Sequence, residues 1–389
     1  MVKENIVTLS MSKGFKQTEI GLIPEDWELR FIKKVAPLQR GFDLPITRIQ
    51  EGPFPVVFSN GINRFHNRFM VKGPGIVTGR SGTIGKVFYI DENFWPHNTS
   101  LFVTEFNDVN PKFIYFLYKY LDFNKFSSGS GVPTLNRNDV HDTKIPLPPL
   151  PEQQAIAEAL SDADAWIESL EKLIVKKRLI KQGAMQQLLT PKDGWEVKKL
   201  GEVINVYRGG SPRPIQDYLT DKSDGLNWIK IGDTSASGKF IVSANEKIIA
   251  EGEKNSRRVF PGDFLLSNSM SFGRPYILKI EGCIHDGWLV LQNYQASFET
   301  EFLYYLLTSK YILDQYKSKA AGSSVLNLNK ELVSSVELII PSLTVQTRIA
   351  TILSDMDAEL EALENQLAKA RQIKQGMMQE LLTGRVRLV

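Results

Sequence analysis

The chain contains one long helical stretch twice. Residues 148–190 read PPLPEQQAIAEALSDADAWIESLEKLIVKKRLIKQGAMQQLLT, and residues 341–383 read PSLTVQTRIATILSDMDAELEALENQLAKARQIKQGMMQELLT. The second copy follows the first at an offset of 193 residues (341 − 148), and the alignment needs no gap. An internal repeat of this length predicts a chain made of two related halves, each a domain followed by a long helix.

In both copies the apolar residues recur after four and then three positions, which is the heptad pattern of a coiled coil. The predicted seam consists of Ile156, Leu160, Ile167, Leu170, Ile174 and Leu188 in the first copy and of Ile349, Leu353, Met356, Leu360, Leu363, Leu367 and Leu381 in the second. A helix from Glu152 to Leu189 would extend ~57 Å at 1.5 Å per residue. Two copies in one chain favour an intramolecular, antiparallel helix pair. The alternative is two separate dimerisation helices in a homodimer.

Length and composition restrict the class of protein. The chain has 389 residues, 42% of them hydrophobic and 23% charged, which predicts two or more globular cores and excludes wholesale disorder. The single cysteine, Cys283, excludes an intrachain disulfide framework and favours the cytoplasm. No apolar run approaches the ~20 residues that span a bilayer, so we expect no membrane partner. Residues 1–13 read as a polar tail in which Met11 is an alternative start, and the net charge of +3 permits nucleic-acid binding without demonstrating it.

The two halves also begin alike, at Trp27-Glu28-Leu29 and Trp195-Glu196-Val197. Between these openings and the helices the segments are short, rich in β-formers and separated by Gly, Pro, Asn and Ser. The sequence therefore predicts an α+β fold in which two pseudo-repeated α/β domains are joined by two long helices that form an antiparallel coiled coil. The predicted boundaries are 14–147 for the first domain, 148–190 for the first helix, 191–340 for the second domain and 341–385 for the second helix.

A search for catalytic motifs finds none that fits. Residues 79–85 are glycine-rich, but the spacing G-x-x-G-x-x-G is neither a phosphate-binding loop nor a dinucleotide fingerprint. The four histidines have no metal-ligand spacing. Glu196-Val197-Lys198 resembles the end of a nuclease motif, but it falls at the shared domain opening without an upstream acidic partner. Asn-Pro-Pro-Tyr and G-x-S-x-G sequences are absent. We predict no catalytic residue and no metal site.

The loops instead contain side chains that suit DNA. Arginine recognises guanine and asparagine recognises adenine in the major groove, while Lys, Ser and Thr mostly contact phosphates. The alternative is that these residues are polar only because loops are exposed to solvent. The candidates are Arg40, Asn63, Arg64, Arg68, Arg80, Ser81, Thr83, Lys86 and Asn136 in the first half and Arg208, Arg213, Lys230, Arg257, Arg258, Asn268, Arg274, Asn329 and Lys330 in the second.

Three segments carry a resemblance to a known family. IPLPPLPEQ (145–153), KQGAMQQLLT (181–190) and GWEVKKLGEV (194–203) resemble the specificity (S) subunits of Type I restriction–modification systems, and the similarity extends over about residues 22–385. The second copy departs from the pattern at Ser342–Gln346, where it lacks the paired prolines and the glutamate.

The resemblance implies that each domain is a target-recognition domain for one part of a bipartite, asymmetric site in double-stranded DNA. It implies that the coiled coil sets the spacing and docks two methyltransferase (M) subunits, which restriction/translocase (R) subunits join. It also implies that this chain has no cofactor, because S-adenosylmethionine, ATP and Mg belong to the partner subunits. The M subunits would then methylate adenine.

Three other interpretations remain open from the sequence. One is a coiled-coil scaffold without sequence readout, which would not need two unlike domains with Arg/Asn loops. Another is an enzyme acting on nucleic acid, against which the motif search argues. The third is the recognition subunit of a related methylation-only or phage-defence complex, which differs only in its partner chains.

Overall fold

A computed structural model describes residues 14–128, 132–234, 238–268, 272–320 and 327–388. The predicted tail and the tips of the two closing loops, residues 129–131 and 321–326, lie outside the described residues. The chain divides into two compact units: unit 1 is Met1–Lys172 with Asn365–Val389, and unit 2 is Leu173–Glu364. Each long helix contributes one part to each unit. The predicted domain boundaries follow secondary-structure elements rather than these units and stay a prediction.

Unit 1 contains the first β-rich domain. Its elements are β1 Phe15–Thr18, β2 Gly21–Pro24, β3 Glu28–Phe31, α1 Ile32–Val35, β4 Leu38–Arg40, β5 Phe54–Phe58, β6 Gly61–His66, β7 Gly75–Gly79, β8 Val87–Ile90, β9 Trp95–Pro96, β10 Ser100–Val103, α2 Pro111–Tyr120, β11 Ser127–Ser128, β12 Thr134–Leu135, α3 Arg137–His141 and β13 Lys144–Leu147. A four-stranded sheet has the order β4-β10-β7-β8, and a three-stranded sheet has the order β6-β5-β9. The apolar α2 is buried against the larger sheet because its buried face carries Phe113, Ile114 and Leu117.

The first long helix, α4, runs from Leu150 to Leu188. Unit 2 then contains the second β-rich domain and the second long helix. Its further elements are β14 Glu196–Lys199, α5 Leu200–Val203, β15 Asn205–Arg208, β16 Leu226–Ile229, β17 Phe240–Ile241, β18 Glu246–Ile248, β19 Arg257–Val259, β20 Phe264–Ser267, β21 Pro275–Leu278, β22 Gly282–Ile284, β23 Trp288–Gln292, α6 Thr300–Thr308, α7 Lys310–Ala320, α8 Lys330–Ser334, β24 Glu337–Ile340 and α9 Leu343–Leu381.

The two domains share one strand plan. The sheet β15-β23-β20-β21-β17 repeats the larger sheet of unit 1 with one strand added, and β18-β16-β22-β19 repeats the smaller sheet, also with one strand added. The two added strands, β17 and β19, both precede Pro261. The extra length of the second half therefore extends both sheets without changing their common order.

Within each unit the long helices pair antiparallel. Residues that rise along α4 meet residues that fall along α9, and the ion pairs recur at the 193-residue offset. They are Asp164–Lys374 and Glu171–Arg371 in unit 1 and Asp357–Lys181 and Glu364–Arg178 in unit 2. Both arginine pairs have N–O distances of 2.6 Å. The repeat in the sequence is therefore also a repeat of interhelical contacts.

The predicted seam positions are all buried or partly buried. In unit 1 these are Ile156, Leu160, Ile167, Leu170, Leu367 and Leu381, and in unit 2 they are Ile174, Leu188, Ile349, Leu353, Met356, Leu360 and Leu363. Near the helix ends the seam joins the domain cores, because Ile156 and Leu160 pack with the first domain and Ile349 and Leu353 with the second. The seam lysines Lys181 and Lys374 are tolerated because each ammonium group meets a carboxylate.

A buried glutamine fixes the start of each long helix to its domain. Gln153 donates from Nε2 to the Pro148 carbonyl oxygen (2.9 Å) and accepts from the Asn110 N–H (2.9 Å). Gln346, at the equivalent position, donates to the Pro341 carbonyl oxygen (2.9 Å) and its Oε1 accepts from the N–H of the residue that caps α6 (2.8 Å). A buried amide that satisfies two backbone groups fixes a helix direction, because leaving those groups unpaired would cost about 1–3 kcal/mol each.

Candidate nucleic-acid interface

In unit 1 a polar corner forms where β4, β7 and the loop after β9 meet. Arg40 pairs with Asp43 (2.8 Å), which also accepts a hydrogen bond from the Asn98 amide. Arg80, after β7, donates from Nη1 to the Asn98 carbonyl oxygen (3.0 Å). The hydrogen bond from Asn98 and the charge of Arg40 hold the pKa of the Asp43 carboxyl below its usual range. The corner therefore keeps one carboxylate among two guanidinium groups.

The segment after β11 closes this corner. The Leu135 N–H donates to the Arg80 carbonyl oxygen (2.8 Å), and Ser81 forms an isolated bridge with Thr134. A cavity of about 430 Å³ is lined by Arg40, Arg80, Leu101, Thr134, Leu135, Asn136 and Arg137. The structure thus brings four predicted residues together: Arg40, Arg80, Ser81 and Asn136. Asn136 is also the N-cap of α3, where its Oδ1 accepts from the Asn138 N–H (3.0 Å).

Unit 2 builds the same corner from different side chains. Asn268, which is 188 residues after Arg80, donates from Nδ2 to the Asp286 carbonyl oxygen (3.1 Å), and Asp286 is 188 residues after Asn98. The Leu328 N–H donates to the Asn268 carbonyl oxygen (2.9 Å), as Leu135 does to Arg80. The acidic group has changed places. It stands at Asp286 and accepts from Ser211 Oγ (3.0 Å), which is equivalent to Asp43.

Three predicted basic residues line or approach the Asp286 corner. Arg208 donates from Nε to the Asp286 carbonyl oxygen (3.3 Å), and Arg213 reaches the Asp286 carboxylate (3.4 Å). Lys230 pairs with Glu246. A cavity of about 810 Å³ is lined by Ser211, Pro212, Arg213, Pro214, Ile215, Gln216, Leu219, Trp228, Lys230, Glu246, His285 and Asp286. Two of the predicted residues, Arg213 and Lys230, therefore face one cavity.

The other predicted residues of unit 1 lie apart from the corner. Asn63, Arg64 and Arg68 are exposed on β6 and just after it, and Asn63 Nδ2 donates to Asn60 (2.7 Å). Thr83 is half-buried and Lys86 is exposed in the glycine-rich connection between β7 and β8. Gly79 can only be glycine there, because a Cβ would overlap the Thr83 carbonyl oxygen.

Several predicted residues of unit 2 already have partners within the domain. Arg257 and Lys330 lie over the Tyr207 ring, at 4.9 and 5.9 Å from its centroid. Arg258 approaches Glu253 (3.3 Å) and Glu281 (3.5 Å), and Arg274 donates to the Gly238 carbonyl oxygen (3.1 Å). The last of the predicted set, Asn329, caps α8 by accepting from Leu332 N–H (2.8 Å). Base contact by these residues stays a prediction.

Sequence reasoning missed the residues that organise the two corners. Asp43 and Asp286 hold the basic groups in place, and His97 and His285 lie beneath them. Burial lowers the pKa of both histidines, so both are neutral near pH 7. Aligning the two halves residue by residue would have revealed them, because both histidines occur at the same 188-residue offset.

Within the described ranges no three His, Cys, Asp or Glu side chains converge to hold a metal ion. Among these residues no helix combines the length and apolarity that crossing a membrane requires. What the folded chain does present is two β-rich domains whose loop edges expose basic and amide groups, together with a helix pair. This is the class of a nucleic-acid recognition protein.

Comparison with known proteins identifies the family. The family model of the Type I restriction modification DNA specificity domain matches residues 24–177 and 192–372, so the chain belongs to that family. A chain of Methanocaldococcus jannaschii, provisionally named as the specificity subunit of type I restriction enzyme MjaX, is 24% identical over 428 residues, which cover 97% of each chain.

Solved structures share the fold. The S subunit of a Type-I restriction-modification system from M. genitalium has a TM-score of 0.61 and 18% identity, over 96% of this chain and 98% of that chain. A chain from a structure concerned with complex assembly and conformational transition of the type I R-M system has a TM-score of 0.63 and 17% identity, over 94% and 99%. These findings confirm the predicted resemblance and fold, and with them a non-catalytic specificity subunit with an internal repeat.

Proposed function

We propose that this chain recognises DNA for a Type I restriction–modification complex and reads a bipartite, asymmetric site, one half-site per domain. The observation that supports this is one corner built twice from different side chains. The same backbone frame holds Arg80 over Asn98 in unit 1 and Asn268 over Asp286 in unit 2. Guanidinium and amide groups prefer different base edges, so an equal frame with unlike side chains suits two unlike half-sites.

The methylation pattern of the host DNA tests this proposal. The chain is expressed with its neighbouring methyltransferase subunit, and modified adenines are mapped. We expect two short, unlike half-sites around a fixed unread gap. Arg80→Ala should relax letters in one half-site only, and Asn268→Ala should relax letters in the other. A continuous motif, or two variants that alter the same half-site, would reject one domain per half-site.

The helix pair is proposed to set the spacing between the half-sites. One heptad adds about 10.5 Å to a helix, which matches about three base pairs at ~3.4 Å each. Inserting seven residues after Lys172 and seven after Asn365 keeps the seam in register in both helices. The methylation motif should then gain about three unread base pairs and keep its half-site letters. An unchanged gap would reject the proposal.

The helices are also proposed to dock two methyltransferase subunits, which restriction/translocase subunits join in the cytoplasm. Apolar side chains on their outer surfaces support this: Trp166 and Ile373 are exposed in unit 1, and Leu173, Val175, Leu179 and Ile180 are exposed in unit 2. Exposed apolar groups in such a cluster are typical of a protein interface. S-adenosylmethionine, ATP and Mg would act in those partners. Replacing Leu179 and Ile180 by Asp should prevent co-purification of the methyltransferase, whereas Leu150→Asp, outside this cluster, should not.

A further inference from the structure

The β5–β6 hairpin of the first domain combines exposed apolar side chains with unpaired positive charge. Ile62, Phe65, Phe69 and Met70 have 43%, 49%, 36% and 45% of their surfaces exposed. They alternate with Asn63, Arg64, Asn67 and Arg68 along the chain. Large apolar groups are seldom exposed together on one edge strand without a binding partner.

Charge shows what kind of partner fits. No aspartate or glutamate occurs between Glu51 and Asp91, a stretch that contains five basic residues: Arg64, Arg68, Lys72, Arg80 and Lys86. In the described part of the chain, Arg64, Arg68, Lys72 and Lys86 form no ion pair. A surface with several unpaired cations and no acid nearby fits a polyanion, and duplex DNA is the polyanion that this family's domain addresses.

A β-bulge places the apolar groups on one face. Val56 pairs with Arg64, but Val57 pairs with Ile62, so Asn63 is the extra, unpaired residue. Residues that pair across strands share a face, and Phe65 pairs with Pro55. Ile62 and Phe65 therefore lie on the same face of the hairpin, and Arg64 lies on the other. Without the bulge, the two apolar side chains would point to opposite faces.

The second domain lacks this feature at the equivalent strand. β5 pairs in parallel with β9, and β16 pairs in parallel with β22 at positions 188 residues further on, so β18 corresponds to β6. The positions of Arg64 and Phe65 are taken by Glu246 and Lys247. Glu246 pairs with Lys230, and Lys247 donates to the Ser223 carbonyl oxygen (2.9 Å). The edge of the second domain is thus tied to its own domain, while the edge of the first is open.

We propose that the β5–β6 hairpin is a wedge: Ile62 and Phe65 press between base pairs of the half-site read by the first domain and unstack them, while Arg64 and Arg68 hold the flanking phosphates. Apolar side chains on basic elements unstack and kink duplexes in this way, with phosphate contacts offsetting the lost stacking. The second half-site is then read without unstacking. This inference rests on the proposed function, because it requires that the first domain contacts DNA.

The test uses the full chain assembled with its methyltransferase subunit and a duplex carrying the mapped site. The fluorescent base 2-aminopurine is placed singly at positions through and beside each half-site, because its emission rises when it is unstacked. We expect a severalfold rise at one or two positions in the half-site of the first domain and none in the other. Ile62→Ser/Phe65→Ser should lose this rise and still bind the duplex. The control Phe260→Ser, at an exposed phenylalanine of the second domain, should behave like the natural chain.

Salt dependence supplies a second measurement. Replacing Arg64 and Arg68 by Gln should reduce the slope of log affinity against log salt by about two, because two phosphate contacts are lost. An unchanged slope overturns the proposal. So does a natural complex that binds its site without any rise in fluorescence, or a rise that persists in Ile62→Ser/Phe65→Ser. Loss of the methyltransferase subunit from that variant alone also overturns it, because the hairpin would then be a protein interface. Failure of the natural complex to prefer any site would instead reject the proposed function.

Discussion

The C-terminal segment should stabilise the first unit through a single arginine. Arg387 donates from Nε and Nη2 to the Glu152 carboxylate (2.7 and 2.8 Å), which also accepts from the Trp27 indole N–H (2.9 Å). The Glu152 side chain is only 2% exposed. Asp26 receives the remaining guanidinium hydrogen bonds and is half exposed. Arg387→Ala therefore leaves one buried carboxylate without its counter-charge.

The expected loss follows from these exposures. Breaking a buried ion pair by removing one partner costs about 3–5 kcal/mol, whereas the half-exposed Asp26 contact contributes at most about 1 kcal/mol. We expect Arg387→Ala to lower the free energy of opening of unit 1 by about 3–5 kcal/mol. Hydrogen exchange, followed by mass spectrometry, should show the loss in peptides from β3, β13 and the start of α4. Peptides from unit 2 serve as the internal reference.

The second repeat supplies the matched control. Val345 stands 193 residues after Glu152, so this position accepts an apolar residue in the other half. Glu152→Val/Arg387→Ala should be more stable than Arg387→Ala alone, because no buried charge remains unpaired. If Arg387→Ala leaves protection in unit 1 unchanged, or if the two substitutions destabilise additively, the reasoning from buried charge is refuted.

Two further predictions concern packing and charge. Gly41→Ala and Gly209→Ala should each destabilise the chain by about 2–4 kcal/mol in urea unfolding, because a Cβ would overlap the carbonyl oxygen of His97 or His285, whereas Gly183→Ala, with open space around it in α4, should stabilise by about 0.5–1 kcal/mol; equal effects at all three would contradict this. Burial lowers the pKa of Lys239 to about 8, so the unfolded chain binds more protons between about pH 8 and the ordinary lysine pKa of 10.5. The stability of the natural chain relative to Lys239→Met should therefore rise with pH across that window, and a flat difference in thermal unfolding would show that Lys239 is not desolvated.

Much of the architecture could be predicted from local patterns. The heptad steps predicted both long helices, which run from Leu150 to Leu188 and from Leu343 to Leu381, two to four residues inside the predicted bounds. The strands at Phe54–Phe58 and Ser100–Val103 were equally readable. Periodicity is a property of neighbouring residues, so it survives without knowledge of the tertiary contacts. The family resemblance rested on the same local signals.

The candidate site was less accessible. The sequence supplied the basic and amide residues but not their grouping: Arg40, Arg80 and Asn136 meet around one cavity, while Arg258 and Arg274 are engaged within their own domain. No periodic pattern distinguishes an arginine that is free to contact a ligand from one that serves an internal carboxylate. That choice depends on which loops the sheets bring together.

The sequence by itself determined the repeat, the two long helices and the class of the domains, because each is written in the spacing of adjacent residues. Only the tertiary structure decided the pairing of Arg387 with Glu152, the exchange of the acidic group between Asp43 and Asp286, and the bulge that gives Ile62 and Phe65 a common face. These features join residues that are distant along the chain or depend on strand register. Their energies come from burial and hydrogen-bond geometry, which exist only once the chain has folded.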